Sequence, residues 1–272
     1  MKKIIYSALV GNYDNIPDIP FKNDEWEYIL FTDQTTEKII NGWEIKQLVH
    51  NIQGDNTRTA RWHKTNPHKL FKDCICSIFI DCNIEINSNY IYNRAEELIN
   101  QNIKIASIKH PFRDCIYKEA IACIELGKDS KHVINSQIQF LKTEKYPKNN
   151  GLFETNIFFR NHQFNEIEKI NEEWWDIIHT RSKRDQLSLN YLLWKHNLTA
   201  EYFFKDKNLN ARNSTDFKFK ESHKIDNSSK ELSLMEYEIL KNKSEALSSI
   251  RKTISYKLFV KLELKLKKLI NK

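Results

Sequence analysis

The chain has 272 residues, of which 40% are hydrophobic and 12% aromatic, with only five glycines and five prolines. That composition supports one large core, or a core with an appendage, and argues against long flexible linkers; no run of about 18 apolar residues is present to cross a membrane. The net charge of +7 is uneven, because residues 1–210 hold 28 basic and 28 acidic side chains while residues 211–272 hold 15 and 8, so the excess sits in the tail and a nucleic-acid groove across the body is disfavoured.

Residues 4–10 predict a first strand. The opening residues share the look of a signal peptide, but the short apolar stretch runs into Gly11-Asn12-Tyr13-Asp14 without a small-x-small cleavage site. Strands follow at 28–33 and 43–49. The stretch 58–71 reads as helix, with Pro67 near an end or a kink. Residues 75–80 form a central strand that delivers Asp81. Then come a helix at 93–100, a strand at 104–108, helices at 114–126 and 130–143, a strand at 151–160, helices at 164–179 and 184–196, and a strand at 200–204. Strands separated by helices predict an α/β fold, a mainly parallel sheet flanked by helices. The domains read as a main domain at 1–204, a polar loop or connector at 205–230, and a tail at 231–272. In the tail Lys257, Lys261, Lys265, Lys268 and Lys272 lie opposite Leu258, Phe259, Leu262, Leu266, Leu269 and Ile270. Such a basic amphipathic helix packs on its own domain or a partner subunit, or attaches to an anionic membrane surface.

The five cysteines, Cys74, Cys76, Cys82, Cys115 and Cys123, form no metal-binding pair, and their odd count points to reduced thiols and a cytoplasmic location. The nine histidines include no His-x-x-x-His pair, which argues against a zinc site.

Asp81 and Asn83 place two hard oxygen ligands at the carboxyl end of a buried strand, where α/β sheets gather ligands. The pair either holds a divalent cation against a diphosphate or caps a turn. The other strand ends are also polar: Gly11-Asn12-Tyr13-Asp14, Thr32-Asp33 and His110-Pro111-Phe112-Arg113. Gly11 permits close backbone approach to a base, and Tyr13 offers a ring to stack on it. Arg61 and Lys64 lie three apart on one helical face, with His68 a turn further on; they clamp phosphates or form a solvated face. Glu154 and Asn156 interrupt an apolar strand, as network residues or acceptor binders. Asp185 and Gln186 open a helix, as a cap or facing a sugar.

In order and spacing, Ala8-Leu9-Val10-Gly11-Asn12-Tyr13-Asp14, Phe31-Thr32-Asp33, Arg61-x-x-Lys64-x-x-Pro67-His68, Phe79-Ile80-Asp81-Cys82-Asn83, His110-Pro111-x-Arg113-x-Cys115-x-Tyr117-x-Glu119, Gly151-Leu152-x-Glu154 and Arg184-Asp185-Gln186-Leu187-Ser188 resemble a glycosyltransferase-like family. That family includes plant mucilage and turgor-regulation proteins and bacterial capsule-cluster proteins, and the resemblance spans roughly residues 4–200. It implies a GT-A-like (Rossmann-like) fold and transfer of a sugar from a nucleoside-diphosphate sugar, UDP-sugar favoured, to a surface glycan of capsule or lipopolysaccharide type, glycan or lipid-linked. By the same resemblance, Val10, Gly11, Tyr13, Asp14, Thr32, Asp33, Arg61, Lys64, His68 and Asp81 bind the donor. His110, Arg113, Asn156 and Arg184 bind acceptor or sugar, and Asp185, Gln186 and Glu154 are catalytic. Mn²⁺ or Mg²⁺ is held by Asp81 and Asn83, where the usual second Asp is an Asn. Retaining galactosyltransferases and glycogenin-like enzymes line the donor sugar with an Asn-bearing strand and an Asp-Gln helix and complete the metal shell with a later His. The similarity implies those roles for Asn156, Asp185, Gln186 and His223, and retention of configuration. The expected place is the inner face of a bacterial membrane, peripherally bound. A non-catalytic nucleotide-sugar or glycan-binding relative and a membrane-associated scaffold are the alternatives.

Overall fold

A computed structural model describes residues 1–220, together with Asn242 and Glu245. The strands are β1 (Lys2–Leu9), β2 (Trp26–Thr32), β3 (Ile39–Ile40), β4 (Trp43–Lys46), β5 (Cys74–Ile80), β6 (Ile84–Ile86), β7 (Ile105–Lys109), β8 (Phe153–Asn161), β9 (Glu201–Tyr202) and β10 (Phe217–Phe219). The helices are α1 (Asn56–Thr65), α2 (Pro67–Leu70), α3 (Tyr90–Asn100), α4 (Ile116–Glu125), α5 (Lys131–Thr143), α6 (Asn165–Thr180) and α7 (Leu189–Lys195), with a 3₁₀ turn at Asp185–Leu187. Eight strands form one sheet in the order β3-β4-β2-β1-β5-β8-β7-β9.

The sheet is mainly parallel. β1 pairs in parallel with both β2 and β5, and β2 with β4, while β8 runs antiparallel between β5 and β7. The alternation of strands and helices does not disclose that reversal, because α4 and α5 both intervene between β7 and β8 and return the chain to the end of the sheet at which it left β7. Both faces of the sheet are covered. Ile5, Leu30, Ile78 and Phe159 face one core cluster, and Ile4, Tyr6, Phe79 and Phe158 the other. A strand buried on both faces must be apolar at successive positions, hence the continuous runs in β1 and β5.

The predicted helix at 58–71 is two helices. Asp55 caps α1 by accepting from the Arg58 amide, and Pro67 opens α2 at a position where a missing N–H costs nothing. The predicted helix at 184–196 is likewise divided, into the 3₁₀ turn and α7. The polar stretch 205–220, expected within a connector, instead packs on the domain. β10 pairs antiparallel with β6, Ala211 and Phe217 are buried, and residues to 220 belong to the compact unit Met1–Ile225. Its polar composition hides that packing, because Ser88 and Ser214 are spent on hydrogen bonds to the Asp216 carboxylate. All five cysteines are free thiols. Among the described residues no helix is long and apolar enough to cross a membrane. The basic helix of the tail and His223 lie outside the described residues.

Candidate functional site

β1 lies between β2 and β5, so the chain leaves β1 to one side and returns to its other side. Such a reversal opens a crevice at the carboxyl ends of the strands. Gly11, Asp33, Asp81 and His110 occupy those ends. The Gly11 amide donates to both carboxylate oxygens of Asp33, at 2.9 and 3.2 Å, tying the ends of β1 and β2 together. Gly11 sits at φ +74°, and a Cβ there would fall 1.9 Å from Asn56 Nδ2. Gly11→Ala should therefore cost roughly 1–2 kcal/mol in chemical denaturation; an unchanged midpoint would mean that Asn56 and the left-handed turn relax freely.

Asp81 ends β5. Its amide donates to the Asn156 carbonyl at 2.9 Å, and its carbonyl accepts from the Ile84 amide at 3.0 Å. Opposite it, α1 presents Arg61 and Lys64. The Lys64 Nζ donates to Asp185 Oδ2 at 2.6 Å and to Thr155 Oγ1 at 3.0 Å, and lies 3.8 Å from Asp81 Oδ1. Arg61 stands 3.5 Å from Asp185 and 3.9 Å from Asp81, with its Nε buried and unsatisfied by any hydrogen bond. Thr155 Oγ1 donates to Asp185 Oδ2 at 2.7 Å, and Trp174 Nε1 to the Asp185 carbonyl at 3.1 Å. Burial alone would raise the Asp185 carboxyl, but Arg61, Lys64 and Arg184 together hold it far below the ordinary carboxylate range. The two aspartates differ in access: the Asp185 side chain is 2% exposed and that of Asp81 33%. Asp81 faces the crevice, and Asp185 anchors the cations from behind.

A second group adjoins the first. His110 Nδ1 accepts from the amides of Phe112 and Arg113, at 3.2 and 3.0 Å. Burial, then the charges of Arg113, Arg212 and Arg184, push His110 well below its usual range, so its ring is neutral. Arg113 Nε donates to Glu119 Oε2 at 2.5 Å. Glu154 is buried against Arg212 Nη1, at 2.7 and 2.8 Å from its two oxygens. Burial raises the Glu154 carboxyl; Arg212 opposes the rise, and Asp81 and Glu119 add to it. Beside them, both amide atoms of Asn156 are buried without a hydrogen-bond partner. Leaving such a group unpaired costs about 1–3 kcal/mol, which a polar ligand or water would recover.

Of the other predicted donor residues, Tyr13 is 47% exposed and within electrostatic reach of Arg184, Arg61 and Asp81. Asp14, Val10 and Thr32 are buried; Thr32 Oγ1 accepts from the Gln34 amide at 3.1 Å and serves the turn. Gln186 is half-buried in the 3₁₀ turn beside Asp185. His68 stands apart from Asp81. Its Nδ1 lies 3.4 Å from Asn171 Nδ2 and its Nε2 faces Glu172, both on α6. Helical spacing placed it with Arg61 and Lys64, but the break at Asn66-Pro67 turns it away.

The sequence profile of the TOD1/MUCI70, glycosyltransferase-like domain matches residues 19–220. The chain belongs to this family. No curated protein is similar enough in sequence to count as a match. Among solved structures, this TOD1/MUCI70 domain is similar to the apo form of mouse xyloside xylosyltransferase 1, with 8% identity, a TM-score of 0.42 and coverage of 74% of this chain and 83% of that one. It is also similar to the apo structure of the bifunctional glycosyltransferase WbbM, with 10% identity and a TM-score of 0.39; the match covers 75% of this chain but only 38% of WbbM.

The oxygens present fit a Mg²⁺-type ion. Such ions take one or two protein oxygens and complete their shell with phosphate and water. Asp81 offers a part-exposed carboxylate for such an ion, and the Asn83 side chain donates through Nδ2 to the Lys220 carbonyl at 3.1 Å. Asp81 itself joins no group of three His, Cys, Asp or Glu side chains among the described residues. Four residues of the candidate site escape sequence reasoning as site members: Glu119, Thr155, Trp174 and Arg212. Arg212 sits in the stretch that reads as a polar connector. Glu119 does lie in the motif that follows His110, in the first turn of α4 six positions after Arg113, and its place in that motif is the one available signal.

Proposed function

We propose that this domain is a glycosyltransferase that uses a nucleoside-diphosphate sugar and extends a surface glycan. The observation that carries the reading is the pairing of a part-exposed Asp81 with Arg61 and Lys64 at the sheet's switch point, with Arg184 acting on the neighbouring Asp185, next to the unpaired Asn156 amide. Three cations around two aspartates leave one net positive charge, suited to a diphosphate. Tyr13 and the Gly11–Asp33 junction receive the nucleoside. Arg61, the less buried of the two cations beside Asp81, binds the diphosphate directly, and Lys64 supports it from below. Asp81 and Asn83 hold Mn²⁺ or Mg²⁺, which supplies Lewis-acid stabilisation of the leaving diphosphate. Asn156 and His110 hydrogen-bond the sugars. As the acceptor oxygen bonds to the anomeric carbon, the bond from that carbon to the diphosphate breaks, and Glu154 takes the acceptor's proton. Asp185 has both oxygens facing cations and acts by positioning them rather than by touching the sugar.

Incubating the full chain with UDP- and GDP-sugars and Mn²⁺ should release free nucleotide. Absence of both release and donor binding across the set would overturn the proposal. A raised Glu154 carboxyl must lose its proton to act as a base, so the rate should climb with pH through a value above the ordinary glutamate range. Glu154→Gln should flatten that acidic limb and slow transfer by about 10²–10⁴-fold.

A further inference from the structure

On the far side of the Asn66-Pro67 break, α2 and α6 bring together a second set of donors. Glu168 and Glu172 lie four residues apart on α6, on one helical face. With His68 of α2, their ligand atoms all fall within 4.8 Å of one another. The two glutamates are exposed, and acidic side chains at a surface are by themselves ordinary. The histidine is not: its side chain is 8% exposed, and its Nε2 is buried with no hydrogen-bond partner, 3.9 Å from Glu172 Oε1. A desolvated ring nitrogen thus lies within 4.8 Å of two carboxylates.

We propose that His68, Glu168 and Glu172 form a binding site for a zinc-class divalent ion, separate from Asp81. One imidazole nitrogen and two carboxylate oxygens suit Zn²⁺, whose bonds of about 2.0–2.1 Å place tetrahedral neighbours about 3.4 Å apart. His68 Nε2 and Glu172 Oε1 must therefore close from 3.9 Å by about 0.5 Å, a small shift for an exposed glutamate. Lys69 Nζ, 3.4 Å from Glu172 Oε1, occupies the cation's side of that carboxylate and swings away on loading. Ligation through Nε2 moves the ring proton to Nδ1. Asn171 then accepts it after its amide turns over to present Oδ1. Water fills the fourth position. The bound ion fastens α2 to α6 and so braces α1, which carries Arg61 and Lys64. Residue spacing could not reveal this site, because its histidine and its glutamates lie about a hundred positions apart.

The test is calorimetric titration of the chelator-stripped full chain with Zn²⁺ alone, beside thermal unfolding with and without the ion. The wild type should bind Zn²⁺ and melt higher with it. Asp81→Ala should keep one bound equivalent. Glu168→Gln combined with Glu172→Gln changes only exposed groups, so the protein stays folded, and it should bind at least about tenfold more weakly and lose the thermal gain. His68→Ala should do the same. Undiminished affinity in the double glutamine variant, loss of the last equivalent in Asp81→Ala, or no binding by the wild type would each overturn the proposal.

Discussion

Asp185→Ala should destabilise the domain by about 3–5 kcal/mol, the penalty for removing one partner of a buried ion pair. For a domain of this size that lowers the melting temperature by roughly 6–20 °C. The Lys64 side chain is 1% exposed and has three acceptors within 4 Å, of which Asp185 is the closest at 2.6 Å. Without that carboxylate, a buried ammonium and the half-buried Arg61 guanidinium are left against a half-satisfied threonine hydroxyl. Asp81 remains, but at 3.8 Å and partly in water it cannot take over the role. Trp174 still donates to the backbone carbonyl of residue 185, so the turn keeps its place and the measured loss reports the side chain. Asp185→Asn should cost less, because an amide oxygen still accepts a hydrogen bond from Lys64. Wild-type stability in Asp185→Ala would mean that water reaches Lys64 and that the anchor role is wrong.

The same pair sets an acid limit. The folded Asp185 carboxyl lies far below its unfolded value of about 4. A depressed carboxylate stabilises the fold above the unfolded pKa, and that contribution is lost as pH falls toward the folded one. The wild type should thus weaken on acidification below about pH 4, and the stability gap to Asp185→Asn should narrow over the same range. Denaturant midpoints at pH 7, 4 and 3 read this directly.

How far such a site can be read from sequence depends on where its parts come from. Asp81, Asp33, Gly11 and His110 were legible because each ends a strand with a strong apolar signature, and chain order alone puts strand ends on one edge. The α/β class was legible for the same reason. What failed depends on pairing across long separations. The direction of β8 is set by where two helices carry the chain, and nothing within residues 151–160 encodes it. Arg212 and Glu154 are 58 positions apart, and they meet only because β10 pairs with β6 and folds the 205–220 stretch back. His68 shows the opposite error, since its spacing from Lys64 fits a helix face that Pro67 interrupts. Asp185 marks the limit of such reading: it is buried against Lys64, and a sequence does not tell a carboxylate that faces a ligand from one that faces a buried lysine.

That distinction separates Asp81→Ala from Asp185→Ala. Asp81→Ala should lower kcat/KM for nucleotide release by about 10²–10³-fold, the scale for losing one preorganised electrostatic contact at the reacting groups. It should do so with little loss of stability, since the Asp81 side chain is 33% exposed and Lys64 retains Asp185 and Thr155. The two aspartates lie within 4 Å of the same lysine nitrogen, yet their variants should fail in opposite ways, one in catalysis and the other in folding. Asp81→Asn refines the result. It keeps an oxygen in place but removes the charge that attracts a divalent ion, so its donor affinity should respond less to added Mn²⁺ than the wild type's. A folded, active Asp81→Ala enzyme with unchanged Mn²⁺ response would place the diphosphate elsewhere. Arg61, which stands 3.9 Å from Asp81, would then be the residue whose replacement stops transfer.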